Sequence, residues 1–271
     1  MKILVLGSSG QIGKPICSHL IQDGHNVIEW DIKNSIDQDL SKYNAALEDT
    51  MSQSDFIYYF ASDVGGAKYL EKYQNSYDFI NNNMLMMINV FGALKNTNKP
   101  FIFTSSQMAD IYASTYGLLK LIGEKLSSDL NGLTVRLWNV YGEETDEEKF
   151  HVITDFIKMA KNNNQIKVRT NGKESRQFLS VDDLYKCLIT LTSNFDKLDK
   201  TKNYHITSFK WTSIAEIAKI ISDLSGCEVI FSDGEDKTQM NAMNKPDEHI
   251  LNFWSPSISI EDGIKKLYYN L

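Results

Sequence analysis

Tyr116 and Lys120 are the residues whose types and spacing most directly promise chemistry. Four positions apart in a segment of helical periodicity, a phenol and an ammonium share one helix face, where the cation can lower the phenol pKa towards working pH. A phenolate so placed is a general base for a sugar or alcohol hydroxyl, while hydride leaves for a nicotinamide. An ordinary amphipathic helix also contains this spacing by chance, so its weight comes from its companions. Ser105 and Ser106 follow an apolar run, at the carboxyl edge where open α/β sheets bind ligands. Gly7-Ser8-Ser9-Gly10-Gln11-Ile12-Gly13 joins the first apolar run to a helix, and its small residues let backbone N–H groups and the helix N-terminus approach a pyrophosphate. Asp31 closes the second run, 18 residues after Gly13. A carboxylate there accepts hydrogen bonds from the adenosine ribose and repels a 2′-phosphate, which favours NAD over NADP, a preference that nearby Lys33 softens.

These residues need a scaffold, and the sequence spells one out. Apolar runs at 3–6, 27–30, 56–61, 101–104 and 133–137 are strand-length and separated by segments long enough for crossovers. Helical periodicity fills 12–21, 77–94, 116–130 and 152–160. That alternation predicts an α/β fold, a Rossmann-like doubly wound parallel sheet with a smaller C-terminal lobe for substrate. After Leu137 the rhythm falters through an acidic loop at 143–149 and a polar stretch at 161–165, then resumes with a helix at 181–192. A helix at 213–225, a short strand at 228–231, a polar loop and a last helix from Ile260 complete the chain. The expected division is therefore residues 1–142 plus about 179–207 for the dinucleotide, and 143–178 plus about 208–271 for substrate.

Composition narrows the function classes. The 271 residues are 42% apolar, enough for a sizeable core, and 28 Lys plus Arg against 35 Asp plus Glu leave a net charge of −7 with no basic run. Nucleic-acid binding is disfavoured. The opening apolar run is too short for a signal peptide and no stretch suits a membrane span, so no membrane partner is expected. Cys17, Cys187 and Cys227 lack metal-ligand spacing and fit a reducing compartment, with a cytoplasmic location and no metal as the expectation.

With these motifs in order along nearly the whole chain, the sequence resembles the extended short-chain dehydrogenase/reductase family, in its nucleotide-sugar epimerase, dehydratase and reductase branch. The likeness also rests on Asp39-Leu40, Phe60-Ala61-Ser62, Arg136-Leu137-Trp138-Asn139-Val140-Tyr141-Gly142, the stretch from Arg176 to Leu184, and the stretch from Trp254 to Gly263. The resemblance implies NAD as cofactor and a nucleotide-sugar as substrate. It places Asp39 and Leu40 near the adenine, and Phe60, Ala61 and Ser62 near the nicotinamide ribose. By the same resemblance Ser106 polarises the substrate oxygen, Tyr116 is the catalytic base, Lys120 holds the ribose, and Asn139 and Arg176 lie near the substrate diphosphate. Asp63-Val64-Gly65-Gly66, the stretch from Asp78 to Met84, and His151-Val152-Ile153 look like their counterparts in the GDP-fucose synthase and GDP-mannose 3,5-epimerase group. This favours a GDP-sugar and adds Val64, Gly65, Gly66 and His151 to the substrate side.

Two departures bear on the reaction. Gln107 and Met108 stand where the dehydratases of the family carry an Asp-Glu pair and the 3,5-epimerases a cysteine. Neither side chain exchanges a proton, which disfavours dehydration and epimerisation beside a ketone, and leaves hydride transfer at carbon 4 as a dehydrogenase, 4-keto reductase or 4-epimerase. His151 is left as a lone acid or a binding group. Only ten positions separate Ser106 from Tyr116, where relatives have a longer cover, so a bulky sugar or release of a ketone is expected. Helices at 82–95 and 116–130 are apolar on more than one face, as a homodimer requires.

Overall fold

The computed structural model describes residues 1–236 and 244–271. The first half runs β1 (Lys2–Leu6), α1 (Gly13–Gln22), β2 (Asn26–Trp30), α2 (Ala45–Ser52), β3 (Phe56–Tyr59), α3 (Ala67–Tyr73), α4 (Tyr77–Thr97), β4 (Phe101–Ser106), α5 (Thr115–Asp129) and β5 (Leu133–Leu137). It continues with β6 (Asn139–Tyr141), α6 (Val152–Asn163), β7 (Gln165–Val168), β8 (Ser175–Arg176), β9 (Phe178–Ser180), α7 (Val181–Ser193) and β10 (Asn203–Ile206). β11 (Thr212–Ser213), α8 (Ile214–Ser225), β12 (Glu228–Phe231) and α9 (Ile260–Asn270) follow.

The central sheet has six strands in the order β10-β5-β4-β3-β1-β2, all pairs parallel. Both faces are covered, and period-2 alternation sorts the side chains. Ile3, Val5, Tyr58, Ile102 and Val135 meet the face carrying α1 and α7. Leu4, Leu6, Ile57, Tyr59 and Phe103 meet the face carrying α2, α4 and α5. Ile3 to Leu6 are fully buried, which is why β1 reads as an unbroken apolar run rather than an alternating one. Each such side chain contributes about 1.5–3 kcal/mol on burial. A third core, including Ile157, Ile166, Ile217, Ile221 and Ile264, is built by α6, β7, α8 and α9.

The sheet adds β10 to the five strands the apolar runs predict. Its sequence, Asn-Tyr-His-Ile, carries two polar residues and hides the strand from a hydrophobicity reading. In the 3-2-1-4-5-6 order of Rossmann sheets one further strand lies outside the second. Here β2 is the edge among the described residues, and the chain crosses to β3 through a 3-10 turn at Ile36–Gln38 and α2.

Several predicted boundaries shift, three of them beside the glycine turn or at the carboxyl ends of strands. The run at 56–61 leaves the sheet after Tyr59, because Phe60 N and Ala61 N both donate to the Leu6 carbonyl and turn the chain. β4 extends to Ser106 because Ser105 and Ser106 stay in register with Arg136 and Leu137. α1 begins at Gly13, with Ile12 as its N-cap. The helices α2 and α3 escape the periodicity reading: α2 has two buried residues and α3 none. The polar loop expected after Phe231 falls partly on residues 237–243, outside the described residues.

The acidic pair opening α7 joins the parts. Asp183 is fully buried and accepts from Ser257 N at 2.7 Å, Ile258 N at 2.8 Å and Ser257 Oγ at 2.8 Å. Asp182 accepts from Lys266 Nζ at 2.6 Å and lies 3.0 Å from His19 Nε2, tying α9 and α1 to α7. Two motifs far apart in sequence are thus halves of one joint.

Candidate active site

The glycine turn is built by backbone contact. Gly7 has φ +86°, and a Cβ there would lie 2.6 Å from Ala61 N. A Cβ on Gly13 would lie 2.0 Å from the Gly7 carbonyl oxygen, so the third glycine lets α1 close onto the turn. Gly10 N donates to Gly7 O at 3.2 Å, and Gln11 Nε2 ties the turn to the Val140 carbonyl at 3.1 Å. Asp31 Oδ2 accepts from Ser9 N at 3.0 Å, and Asp31 Oδ1 from Lys33 N at 2.9 Å, so the carboxylate stands at the mouth of the turn.

Two residues that the spacing argument missed complete this corner. Asn34 accepts from Ser9 Oγ at 2.9 Å and donates to Ser8 Oγ at 3.3 Å, while Gln38 accepts from Asp31 N at 2.9 Å. A short polar loop after a strand offers no local signal of that kind. Asp39 is turned to its own loop, accepting from Ser41 N and Oγ with Lys42 at 3.2 Å; burial opposes its charge, but Ser41 and Lys42 hold its carboxyl below the ordinary value. Leu40 is buried in the core, and its carbonyl accepts from Asn89.

The catalytic candidates converge at the carboxyl end of β4. Ser114 caps α5 by accepting from Gly117 N, which starts that helix one residue before Tyr116. One small cavity is lined by Tyr59, Ala61, Ser62, Asn83, Tyr116 and Lys120, among others. Lys120 is buried and donates to the Thr104 carbonyl at 2.9 Å. Its Nζ lies 5.2 Å from the Phe103 ring centre and 5.7 Å from that of Tyr116. Burial pushes Lys120 down to about 8, against the opposing pull of Glu124. Ser106 lies beside the Tyr116 hydroxyl and favours its ionised form, yet burial raises the phenol well above the ordinary value. The expectation that Lys120 lowers the phenol is corrected here: among the protein's own groups, desolvation of the Tyr116 hydroxyl outweighs any help from the cation.

Phe60 stacks on Tyr58, with ring centres 5.4 Å apart. Ser62 Oγ and Asp63 N both donate to Asn83 Oδ1, at 2.9 Å each, pinning the loop after β3 to α4. Val64 packs against the core, and a Cβ on Gly66 would lie 2.2 Å from the Phe150 carbonyl oxygen, so chain crossing explains that glycine. Gly65 is closed similarly by the Tyr69 ring and Lys149. His151 is the N-cap residue of α6, and its backbone N and Nδ1 both meet the buried Glu144, at 3.0 and 2.7 Å. One ring nitrogen is therefore committed to a structural pair.

Beyond Ser106 a second concavity gathers Gln107, Ile111, Trp138, Asn139, Arg176 and Trp211, with Asn244 and Ser175 at its wall. Arg176 is buried, and its guanidinium reaches Asp236 at 2.5 Å. Asn139 holds the Gln177 carbonyl through its backbone N at 3.3 Å. Gln107 accepts from Asn244 Nδ2 at 2.8 Å, so its carboxamide is fixed in the wall. Trp211 meets Trp138 edge to face at 5.9 Å and was not foreseen, because a lone exposed Trp in a polar segment carries no periodic signal. The described residues contain no group of three or more potential metal ligands, and no helix long and apolar enough to cross a membrane.

The turn with no room for a Cβ, the carboxylate at its mouth and the Tyr116–Lys120 cavity fit a dinucleotide, and comparison with known proteins agrees. Residues 3–207 match the NAD dependent epimerase/dehydratase family model. GDP-L-colitose synthase of Yersinia pseudotuberculosis is 25% identical, over 98% of this chain and 96% of that protein. UDP-glucuronic acid decarboxylase 1 of Xenopus tropicalis is 22% identical, over 98% of this chain and 70% of its own length. A UDP-glucose 4-epimerase of Thermotoga maritima, solved with UDP-glucose, superimposes with a TM-score of 0.82 at 18% identity, covering 99% and 98% of the two chains. The chain thus belongs to the NAD dependent epimerase/dehydratase family and is an NAD-dependent enzyme of nucleotide-sugar chemistry.

Proposed function

We propose that the protein oxidises or reduces a nucleotide-activated sugar at carbon 4, with a GDP-sugar as the favoured substrate. The observation that carries this reading is the meeting of Ser106, Tyr116 and Lys120 where β4 ends, beside the cavity lined by Ala61 and Ser62. NAD supplies the hydride acceptor when bound. In the oxidative direction Ser106 holds the substrate oxygen, Tyr116 takes the hydroxyl proton, and Lys120 binds the ribose and supplies positive charge beside the phenolate. The carbon–hydrogen bond breaks as hydride departs, and a carbonyl forms; reduction is the reverse. Asn139 and Arg176 hold the diphosphate, with Val64, Gly65, Gly66 and His151 towards the sugar. Residues 1–142 with 179–207 serve the dinucleotide, and the remainder serves the substrate.

Gln107 and Met108, buried and without a group that acts as acid or base near neutral pH, argue against dehydration. The GDP preference rests on the loop and His-Val-Ile resemblances, with the GDP-L-colitose synthase relative in support. A UDP-sugar 4-epimerase is the second reading, which the Thermotoga maritima likeness favours. The deciding experiment identifies the dinucleotide released on denaturation and assays GDP- and UDP-sugars for keto product or inverted sugar. Nucleotide binding without turnover of any sugar would leave a non-catalytic NAD-binding protein.

Asp31 sets cofactor choice in this reading. Asp31→Asn keeps an acceptor for Ser9 N but removes the charge that opposes a 2′-phosphate. The NAD-over-NADP affinity ratio is expected to fall about tenfold, roughly 1.4 kcal/mol. Titration with both dinucleotides measures it, and an unchanged ratio would contradict the assignment.

The protein acts as a homodimer in this reading. Met84, Ile88 and Gly92 recur every fourth residue on α4, as do Leu118 and Ile122 on α5; these apolar side chains are exposed and a Cβ on Gly92 meets nothing within 4 Å. Such a pair of helix faces suits a twofold copy. Sedimentation at micromolar concentration should give a dimer, and a monomer would exclude it. The three free, buried cysteines accord with a cytoplasmic setting.

A further inference from the structure

One helical turn beyond Lys120, on α5, the buried Glu124 is held from three strands. Arg136 of β5 grips it in a two-pronged pair, Nε to Oε1 at 2.7 Å and the second guanidinium nitrogen to Oε2 at 2.8 Å. Ser105 of β4 donates to Oε1 at 2.5 Å, and Asn203 of β10 to Oε2 at 2.8 Å. The remaining prong of Arg136 reaches Asp110 at 2.7 Å, in the short segment between Ser106 and Tyr116. Glu124 is 5% exposed, so this carboxylate is out of water and satisfied by directed partners on three strands.

None of these groups lines the Lys120 cavity, and the proposed reaction gives none of them a part. A helix can slide or rotate on apolar contacts, whereas a bidentate clasp between α5 and β5 fixes depth and rotation together. The same β4 that supplies Ser105 to the clasp supplies Ser106 to Tyr116 and the Thr104 carbonyl to Lys120. The cover is fixed from both ends. Asp110 binds it to Arg136, and Ser114 Oγ and Tyr116 N reach Gln74 Oε1 at 3.0 and 3.4 Å. Gly117 closes the middle, since a Cβ there would lie 2.0 Å from the Met108 carbonyl oxygen.

We propose that Glu124, clasped by Arg136 and Ser105, is the positioning residue for the Tyr116–Lys120 pair, and that Asp110 holds the substrate cover on the same clasp. This deepens the reaction proposed above and rests on it for the role of the pair. Electrostatics adds a second handle. Glu124 and Asp110 outweigh Arg136 by one negative charge, and Glu124 stabilises the Lys120 ammonium. The other polar groups facing Lys120 are Tyr59 from β3, Ser62 from the loop after it, Asn83 from α4 and Tyr116 from its own helix, while His205 of β10 lies on the clasp side. His205 accepts from Trp138 Nε1 at 3.3 Å, and burial with the Arg136 cation pushes it down to about 4, so it adds no charge near neutrality.

The test follows the Lys120 titration by lysine carbon NMR in the full chain without added ligand, with Lys120→Arg assigning the signal. In Glu124→Gln the Lys120 titration should move down by about half a unit or more, because a stabilising charge is gone and Arg136 is less compensated. With cofactor and substrate, kcat should fall about 10- to 100-fold, while NAD affinity, to which Lys120 contributes through the ribose alone, falls by a smaller factor. Glu124→Asp, which keeps charge with a shorter reach, should leave the titration in place and still lower kcat. Asp110→Asn, on the exposed arm, should raise the sugar KM about three- to tenfold with kcat nearly unchanged. An unmoved Lys120 titration in Glu124→Gln, or NAD affinity and melting temperature falling in step with kcat, would overturn the positioning role. An unchanged KM in Asp110→Asn would overturn the cover role. If the wild type turns over no sugar, the reaction is wrong while the NMR arm still judges the clasp; if Glu124→Gln does not fold, Glu124→Asp and Asp110→Asn still decide.

Discussion

Tyr116→Phe is expected to reduce turnover by about 10³-fold or more while leaving NAD affinity within about threefold. The substitution deletes one oxygen and little volume from a buried ring, so the packing around it survives. What disappears is the hydroxyl that exchanges the proton beside Ser106. Because burial holds the phenol in its protonated form, the proton exchange depends on positive charge supplied beside it, and Lys120 is the protein's own source. Lys120 is pushed down to about 8, so it carries its charge below that pH and loses it above. The wild-type rate should therefore decline on the alkaline side as Lys120 deprotonates. Steady-state kinetics with a responsive nucleotide-sugar, beside a direct NAD titration, separates the two effects. Equal loss of binding and turnover in Tyr116→Phe would remove Tyr116 from its role.

The second large effect is expected at the glycine turn. Gly13→Ala places a Cβ 2.0 Å from the Gly7 carbonyl oxygen, a backbone atom that cannot step aside as the end of a flexible side chain would. The start of α1 must move away from the turn, taking with it the helix N-terminus and amides that face the pyrophosphate. NAD affinity should fall about 100-fold or more, near 2.7 kcal/mol. Calorimetric or fluorescence titration measures the loss, and circular dichroism checks that the sheet is retained. An alanine variant that binds NAD as the wild type does would mean that the turn serves α1 packing alone.

Much of the architecture was legible because its signals are local. A strand buried on both faces reads as an apolar run, as at Ile3 to Leu6. A helix against a sheet shows apolar residues three and four apart, as in α4 and α5. The weak elements were those whose stability comes from elsewhere. β10 holds its place through pairing with β5 over Thr134 to Leu137, and its own residues Asn203 and His205 serve Glu124 and Trp138. α3 exposes much of its surface and is held through polar ties such as Tyr69 to Asp63 at 2.7 Å. Neither tie leaves a periodic trace.

Within the site the same division holds. The sequence by itself determined which residues share a helix face, where a turn needs glycine, and which side chains stand at strand ends, because those relations depend on backbone periods of two and 3.6 residues. It could not determine that Asp183 binds the segment around Ser257, that Asn244 closes on Gln107, or that Arg136 joins Glu124 to Asp110. Each of these pairs lies far apart along the chain and meets only when the sheet has ordered its strands. Nor could spacing determine the charge of the central pair. Four residues bring Lys120 beside Tyr116, but only the assembled fold decides how much water each has lost, and that loss raises the phenol and lowers the ammonium.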